Sequence, residues 1–128
     1  MREIKFRVWD ENAQEMVYGV GLTPGGIPYS IPNYAEASDQ FDYYPSCHEM
    51  QFTGLRDKNN VDIYEGDIVQ GSLRLHDDVD PIMRKVCMHR GCYMFGVWNA
   101  HEYFNKHQHI EVVGNIYEDP DLLEGAEL

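Results

Sequence analysis

The chain has 128 residues, 43% of them hydrophobic, a length that suits one domain because separate cores usually need ~100 residues or more each. Ten Lys and Arg against 22 Asp and Glu leave a net charge of −12, which repels phosphate backbones and anionic lipid and disfavours nonspecific nucleic-acid binding. The longest apolar run falls far short of the roughly 20 residues that cross a bilayer, and Met1-Arg2-Glu3-Ile4-Lys5-Phe6 has no apolar signal core, so a soluble chain with no membrane partner is expected. Cys47, Cys87 and Cys92 are odd in number and sparse, which points to a reducing cytoplasm more than to a disulfide framework.

In chain order, Ile4, Phe6 and Val8 alternate with Lys5, Arg7 and Trp9. This is the period-2 pattern of a half-buried strand, with charge and an indole on its outer face. Asp10-Glu11-Asn12-Ala13 reads as a turn and Met16-Val17-Tyr18 as the return strand, which gives an N-terminal hairpin within residues 1–20. Pro24, Pro28, Pro32 and Pro45, with Gly25-Gly26, break ladders and helices, so residues 21–46 read as a loop or inserted excursion. Its rings, Tyr29, Tyr34, Phe41, Tyr43 and Tyr44, argue against a disordered linker. Either these rings pack the loop down, or Tyr29, Tyr34, Tyr43 and Tyr44 form a contact surface.

From residue 47 onward strand and turn alternate. Residues 50–53 read as a short strand and Arg56-Asp57-Lys58-Asn59-Asn60 as a turn whose asparagines tolerate positive φ. Asp67-Ile68-Val69 starts a strand after a glycine bend. Residues 82–88 and 92–98 are apolar-rich runs separated by His89-Arg90-Gly91, a hairpin with glycine supplying the awkward dihedral. The acidic stretch 76–81 reads as a solvated loop, and residues 99–108 are ambiguous, with a short helical turn as one option. Residues 110–117 form a final strand that Asp119-Pro120 ends. About five to seven short strands with turns at regular intervals favour a mainly β small barrel or sandwich over a helical bundle.

The run Met50-Gln51-Phe52-Thr53-Gly54-Leu55-Arg56-Asp57-Lys58-Asn59-Asn60-Val61-Asp62-Ile63-Tyr64-Glu65-Gly66-Asp67-Ile68-Val69 closely resembles the central signature of the YopX family of phage and prophage proteins. Glu111-Val112-Val113-Gly114-Asn115-Ile116-Tyr117-Glu118-Asp119-Pro120-Asp121-Leu122-Leu123 is similar to the family's end, and Ile4-Lys5-Phe6-Arg7-Val8-Trp9-Asp10 to its start. Lys58-Asn59-Asn60 stands where such proteins commonly show Lys-Asn-Gly, a mild departure because Asn also visits the left-handed region. Residues 21–46 and 72–109 match no family pattern, so any function specific to this member is expected there.

The resemblance implies a single domain over residues 1–128, in which residues 47–128 carry an SH3-like small β-barrel. The N-terminal hairpin packs on that barrel and the Pro/Tyr-rich loop lies between. It also implies a phage or prophage protein in the cytoplasm of a bacterial host, and it brings no enzyme activity, catalytic residue or cofactor. The motif positions are Phe52, Gly54, Asp57, Tyr64, Glu65, Gly66, Asp67, Gly114, Asn115 and Tyr117.

Read physically, Gly66 lets the chain bend, Ile68 points into the core and Asp67 accepts a backbone N–H near the bend. Glu65 and Asp67 share a strand face and could form an acid/base pair, although carboxylates at turns more often cap backbone donors. Gly114-Asn115 marks a bulge or a close backbone approach more than a ligand site. The sharpest chemical candidate is metal. Cys47 lies beside the central motif, and Cys87, His89 and Cys92 surround one hairpin turn, with Cys87 and His89 on one strand face. The spacing matches none of the specific zinc patterns, and free cysteine often serves as a small apolar filler, so no metal is assigned. His101, His107 and His109, with Glu102 nearby, form a second cluster that could make assembly pH-sensitive. No nucleophile elbow, phosphate-cradling glycine loop or HExxH is present in the sequence.

The function expected is that of a nonenzymatic phage accessory protein acting by contact with itself or with a host protein, and not with nucleic acid. The alternatives are an acidic DNA mimic that occupies a host protein's nucleic-acid site, and a zinc-dependent enzyme using the Cys/His groups.

Overall fold

A computed structural model describes residues 3–30, 42–43, 47–75 and 82–123. Within them the chain is mainly β, with two antiparallel sheets, one α-helix and a 3-10 turn. It divides into two compact units, Met1–Phe52 and Thr53–Leu128. Among the described residues no helix is long and apolar enough to cross a membrane.

The first unit contains β1 (Phe6–Asp10), β2 (Glu15–Leu22), β3 (Pro28–Ser30), β4 (Asp42–Tyr43) and the start of β5 (Cys47–Arg56), ordered β4-β3-β2-β1-β5. Asp10 makes the first turn, its Oδ1 accepting the N–H groups of Asn12 at 3.0 Å and Ala13 at 3.4 Å. β1 pairs with β2 on one side and β5 on the other. Its outer face is not the solvated one expected, because Arg7 is 3% and Trp9 7% exposed. Register supplies the reason for Arg7. Tyr18 on β2 stands opposite it, the guanidinium lies 5.8 Å from the ring centroid, and Nη1 donates to the phenol oxygen at 3.4 Å. A planar guanidinium can shed water over an aromatic face where an ammonium would not.

The Pro/Tyr-rich stretch is also more regular than its composition suggests. β2 runs to Leu22, and β3 pairs with it from Pro28, which occupies a strand's first residue where a missing N–H does least harm. Gly26, at φ 85°, closes the intervening turn by donating to the Thr23 carbonyl at 2.8 Å.

β5 runs past Phe52 into the second unit, where it is followed by β6 (Asp62–Tyr64), β7 (Asp67–Leu73), β8 (Ile82–His89), β9 (Cys92–Phe95), β10 (Trp98–Asn99), α1 (Ala100–Lys106) and β11 (His107–Asn115). A 3-10 turn, Pro120–Leu123, follows. The five-stranded sheet is ordered β10-β9-β8-β7-β11, with no described ladder joining β10 back to β11. Ile63, Val69, Val86, Phe95, Tyr103 and Ile110 form the core.

The run 92–98 is two strands instead of one, since Gly96 at φ 65° turns the chain and donates to the Lys85 carbonyl at 3.0 Å. The ambiguous segment is helical over seven residues. Asn99 caps it by accepting the Glu102 N–H at 2.9 Å, and at the far end the His107 N–H donates to the Tyr103 carbonyl. Arg74 adds a guanidinium to the Phe104 carbonyl at 3.1 Å, a cation where the helix dipole is negative. β11 therefore begins at His107, ahead of the expected residue 110.

Candidate functional site

The family-like residues bind the chain to itself. Asp57, 8% exposed, accepts through Oδ1 from Asn59 at 2.8 Å and Val61 at 3.0 Å within its own turn. Through Oδ2 it accepts the N–H of Val112 on β11 at 2.9 Å. Beside it the Lys58 N–H donates to the Ile110 carbonyl at 2.8 Å. The turn thus occupies the outer edge of β11, which would otherwise present unpaired groups to a neighbour. Asn60 takes φ 64°, the conformation an asparagine tolerates.

Asp67, 2% exposed, accepts the Tyr64 N–H at 2.8 Å, closing the bend at Gly66, whose φ is 85°. Glu65 stands half-buried in that bend, and Ile68 is fully buried. Phe52 and Tyr64 are buried, and Gly54 takes φ 87°. After β11, Asn115 accepts through Oδ1 from Tyr117 at 3.0 Å and Glu118 at 2.9 Å. Its own N–H donates to Asp119 at 3.2 Å. β11 shifts register between Val112 and Gly114, and a Cβ on Gly114 would lie 2.6 Å from Asp119 Oδ2 and 2.8 Å from Leu122 Cδ1, so glycine leaves room for these two side chains against the strand.

The metal candidates divide between the units. Cys47 lies on β5 in the first, and His48 beside it pairs with Glu11. Cys87, His89 and Cys92 lie on the β8–β9 hairpin of the second, and register brings Cys92 opposite His89, on the face that Cys87 shares. Among the described residues no three His, Cys, Asp or Glu side chains gather so as to hold a metal ion. The three histidines also part. His101 bonds Asn105 at 3.1 Å on the helix, His107 is buried, and His109 is exposed at φ 56°. Of the tyrosines, Tyr29 lays its ring over Gly21, where a Cβ would come within 2.7 Å, and the backbone of Tyr43 pairs with it. Tyr34 and Tyr44 lie outside the described residues.

One cluster escapes the sequence reading. Tyr103 stacks between Phe95, at 4.9 Å, and His107, at 4.2 Å, while Trp98 meets His107 edge-on at 5.3 Å. His107 Nδ1 contacts the Tyr103 carbonyl at 2.9 Å, so that nitrogen carries the proton. Burial pushes the Tyr103 phenol up to about 12 against the opposing pull of Arg84. Burial also holds His107 below its ordinary value, the bond to Tyr103 opposing and Arg84 and Arg74 reinforcing the shift. The i, i+4 spacing of Tyr103 and His107 was the available signal, since such pairs meet on a helix face.

Comparison with known proteins agrees with this arrangement. Protein EF1440 from Enterococcus faecalis has a similar crystal structure, with a TM-score of 0.66 at 25% identity over 96% of this chain and 99% of that one. Protein yopX from Bacillus subtilis is similar in fold, with a TM-score of 0.64 at 18% identity over 93% of this chain and 97% of that one. No curated protein matches the chain. The profile of the YopX protein family matches residues 5–124, a span that takes in the Asp57 turn, the Gly66 bend and the Asn115 turn, and the chain belongs to the YopX family.

Proposed function

We propose that this chain is a nonenzymatic accessory protein of a phage or prophage, acting in the bacterial cytoplasm through contact with itself or with a host protein, and without a cofactor. The observation that carries the reading is the use of the motif's polar groups: Asp57, Asp67 and Asn115 all hold backbone N–H groups of their own chain. A signature used in that way maintains a scaffold, and a scaffold of this kind offers contact area in place of chemistry. Exposed Tyr18, at 58%, and Val97, at 66%, contribute such area.

An SH3-like small barrel in the second unit is part of the same proposal. In a flat five-stranded sheet the edge strands stand about 19 Å apart, whereas a seven-residue helix spans only about 10 Å. The direct join of β10 to β11 by α1 and the ring contact of Trp98 with His107 from opposite edges both support a curled sheet.

Affinity capture with the full chain from bacterial host lysate, with mass measured by light scattering on the same preparation, tests the function. A stoichiometric partner or a defined oligomer is expected. A monomer that recovers no protein, or one that shifts duplex DNA at physiological salt, would overturn the reading.

A further inference from the structure

In a chain of charge −12, residues 82–101 contain Arg84, Lys85 and Arg90 and no Asp or Glu. All 22 carboxylate side chains lie elsewhere. Among the described residues the ion pairs of the second unit, Arg56 with Asp62 and Lys58 with Glu111, involve none of these three cations. Arg84 is buried at 8% exposure, and its side chain packs where a Cβ on Gly96 would fall. Lys85 is half-buried, while His89 and Arg90 are exposed.

The pairing pattern makes this segment protrude. β7 pairs with β8 as far as Lys85, opposite Ile68, and the Gly66 N–H adds a bond to the Val86 carbonyl at 2.8 Å, whereas β8 runs on to His89, paired there with Cys92 of β9. β10 pairs with β9 only at Phe95 and Met94. Residues 87–92 are thus a two-stranded ribbon that extends past its ladder partners β7 and β10, with the 3-10 turn Pro120–Leu123 lying beside β8, and it is turned by Arg90 at φ 50° and Gly91 at φ 79°. Met88 on it is 41% exposed.

Resting on the protein-contact reading above, we infer that this ribbon is the surface by which the chain binds a second copy of itself, docked against that copy's acidic surface. Charge decides the mode. Two ribbons laid edge to edge would bring like charges together, whereas a ribbon against the carboxylate-rich remainder is attractive, and reciprocal docking about a two-fold axis closes a dimer. Charge number also decides against a duplex. A duplex binder that neutralises about 6–10 phosphates needs as many cations, and with Arg84 buried only His89 and Arg90 on the ribbon and the half-buried Lys85 at its base reach solvent here. An exposed methionine suits a protein surface better than phosphate.

The test is light scattering on the full chain across a concentration series at low and high salt, for the parent and for a Lys85→Glu/Arg90→Asp variant. Asp is chosen at position 90 because it tolerates positive φ. The parent should be a dimer that weakens with salt, and the variant should dimerise about tenfold more weakly or worse with an unchanged near-UV spectrum. Should the double variant not fold, Arg90→Asn is compared in its place and should show a smaller weakening in the same direction. A parent dimer that neither variant weakens places the interface elsewhere and overturns the inference while leaving the protein-contact reading intact. A parent that is monomeric at every concentration overturns it as well, and the broader reading falls only if capture also recovers nothing. A duplex band shift that the variant abolishes would reassign the ribbon to nucleic acid.

Discussion

The Asp57 carboxylate accepts the Val112 N–H at 2.9 Å across 55 positions of sequence. One oxygen closes the β5–β6 turn while the other occupies the edge of β11, so a single side chain ties the central family motif to the terminal one. An aspartate suits both duties. Ionised, it only accepts, and hydrogen bonds from backbone donors to a charged acceptor are roughly twice as strong as neutral ones.

Replacing Asp57→Ala should therefore cost about 2 kcal/mol of stability, because the N–H groups of Asn59, Val61 and Val112 lose their charged acceptor together. Asp57→Asn keeps one oxygen but turns an amide NH2 toward a donor, and should cost about 1–2 kcal/mol. Urea unfolding of both variants measures this. A loss below about 0.5 kcal/mol for the alanine variant would mean that water replaces the carboxylate freely.

Tyr103 is fully buried, yet its hydroxyl has no hydrogen-bond partner among the described residues. Removing an unsatisfied buried polar group while keeping the ring should be neutral or stabilising, so Tyr103→Phe is expected to unfold at equal or higher urea than the parent. Tyr103→Ala should cost about 3–5 kcal/mol through the cavity it leaves between Phe95 and His107. The raised phenol, at about 12, adds a signed pH effect. The unfolded chain loses this proton near pH ~10 and the folded chain later, so stability is complete below pH ~10 and is lost as pH rises toward the folded value. Absorbance titration should show one tyrosine ionising late and missing from Tyr103→Phe, and identical titrations would contradict the assignment.

His107 acts in the opposite direction. Its folded value is depressed, chiefly by burial, so on acidification the unfolded chain takes up a proton near pH ~6.5 before the folded chain does. The stability it contributes is complete above pH ~6.5 and declines as pH falls toward the folded value. His107→Asn keeps a donor for the Tyr103 carbonyl and removes the titration. Its stability should vary less than the parent's between about pH 5 and about pH 8, and parallel profiles would show that another group sets the acid limb.

What the sequence made legible was local chemistry. The turns at Asn60, Gly66 and Arg90-Gly91 were readable because positive φ selects Asn and Gly within a few residues. The capping role of Asp67 and the burial of Ile68 followed from the same bend. Partners distant in sequence were not legible. Nothing near Asp57 announces Val112, and the burial of Arg7 depends on β1 lying between two strands, with Tyr18 in register opposite. Prolines hid β3 because their effect on a ladder depends on which residue of the strand they occupy. The Cys92–His89 juxtaposition likewise depends on the hairpin register, which the two-residue turn Arg90-Gly91 fixes and a three-residue turn would displace.

The three cysteines, free in this structure, should differ in reactivity and be dispensable for folding. Burial pushes the Cys47 thiol up, and the neighbouring carboxylates of Glu49 and Asp10 push it further, so less of it is thiolate at neutral pH and it should alkylate slowly. Cys92 is exposed and Cys87 only partly so, so accessibility should make Cys92 the first site labelled, as peptide mapping after timed alkylation would show. Were these thiols ligands of a structural zinc, replacing them would remove metal-binding free energy on the order of 10 kcal/mol, which is also folding free energy. Side chains that merely fill space at half-buried positions cost far less. The triple Cys→Ser variant should accordingly keep the parent's near-UV spectrum and a cooperative urea transition, with total metal unchanged between the two untagged proteins. Unfolding of the variant, with one zinc per chain in the parent, would instead make these thiols ligands of a structural zinc.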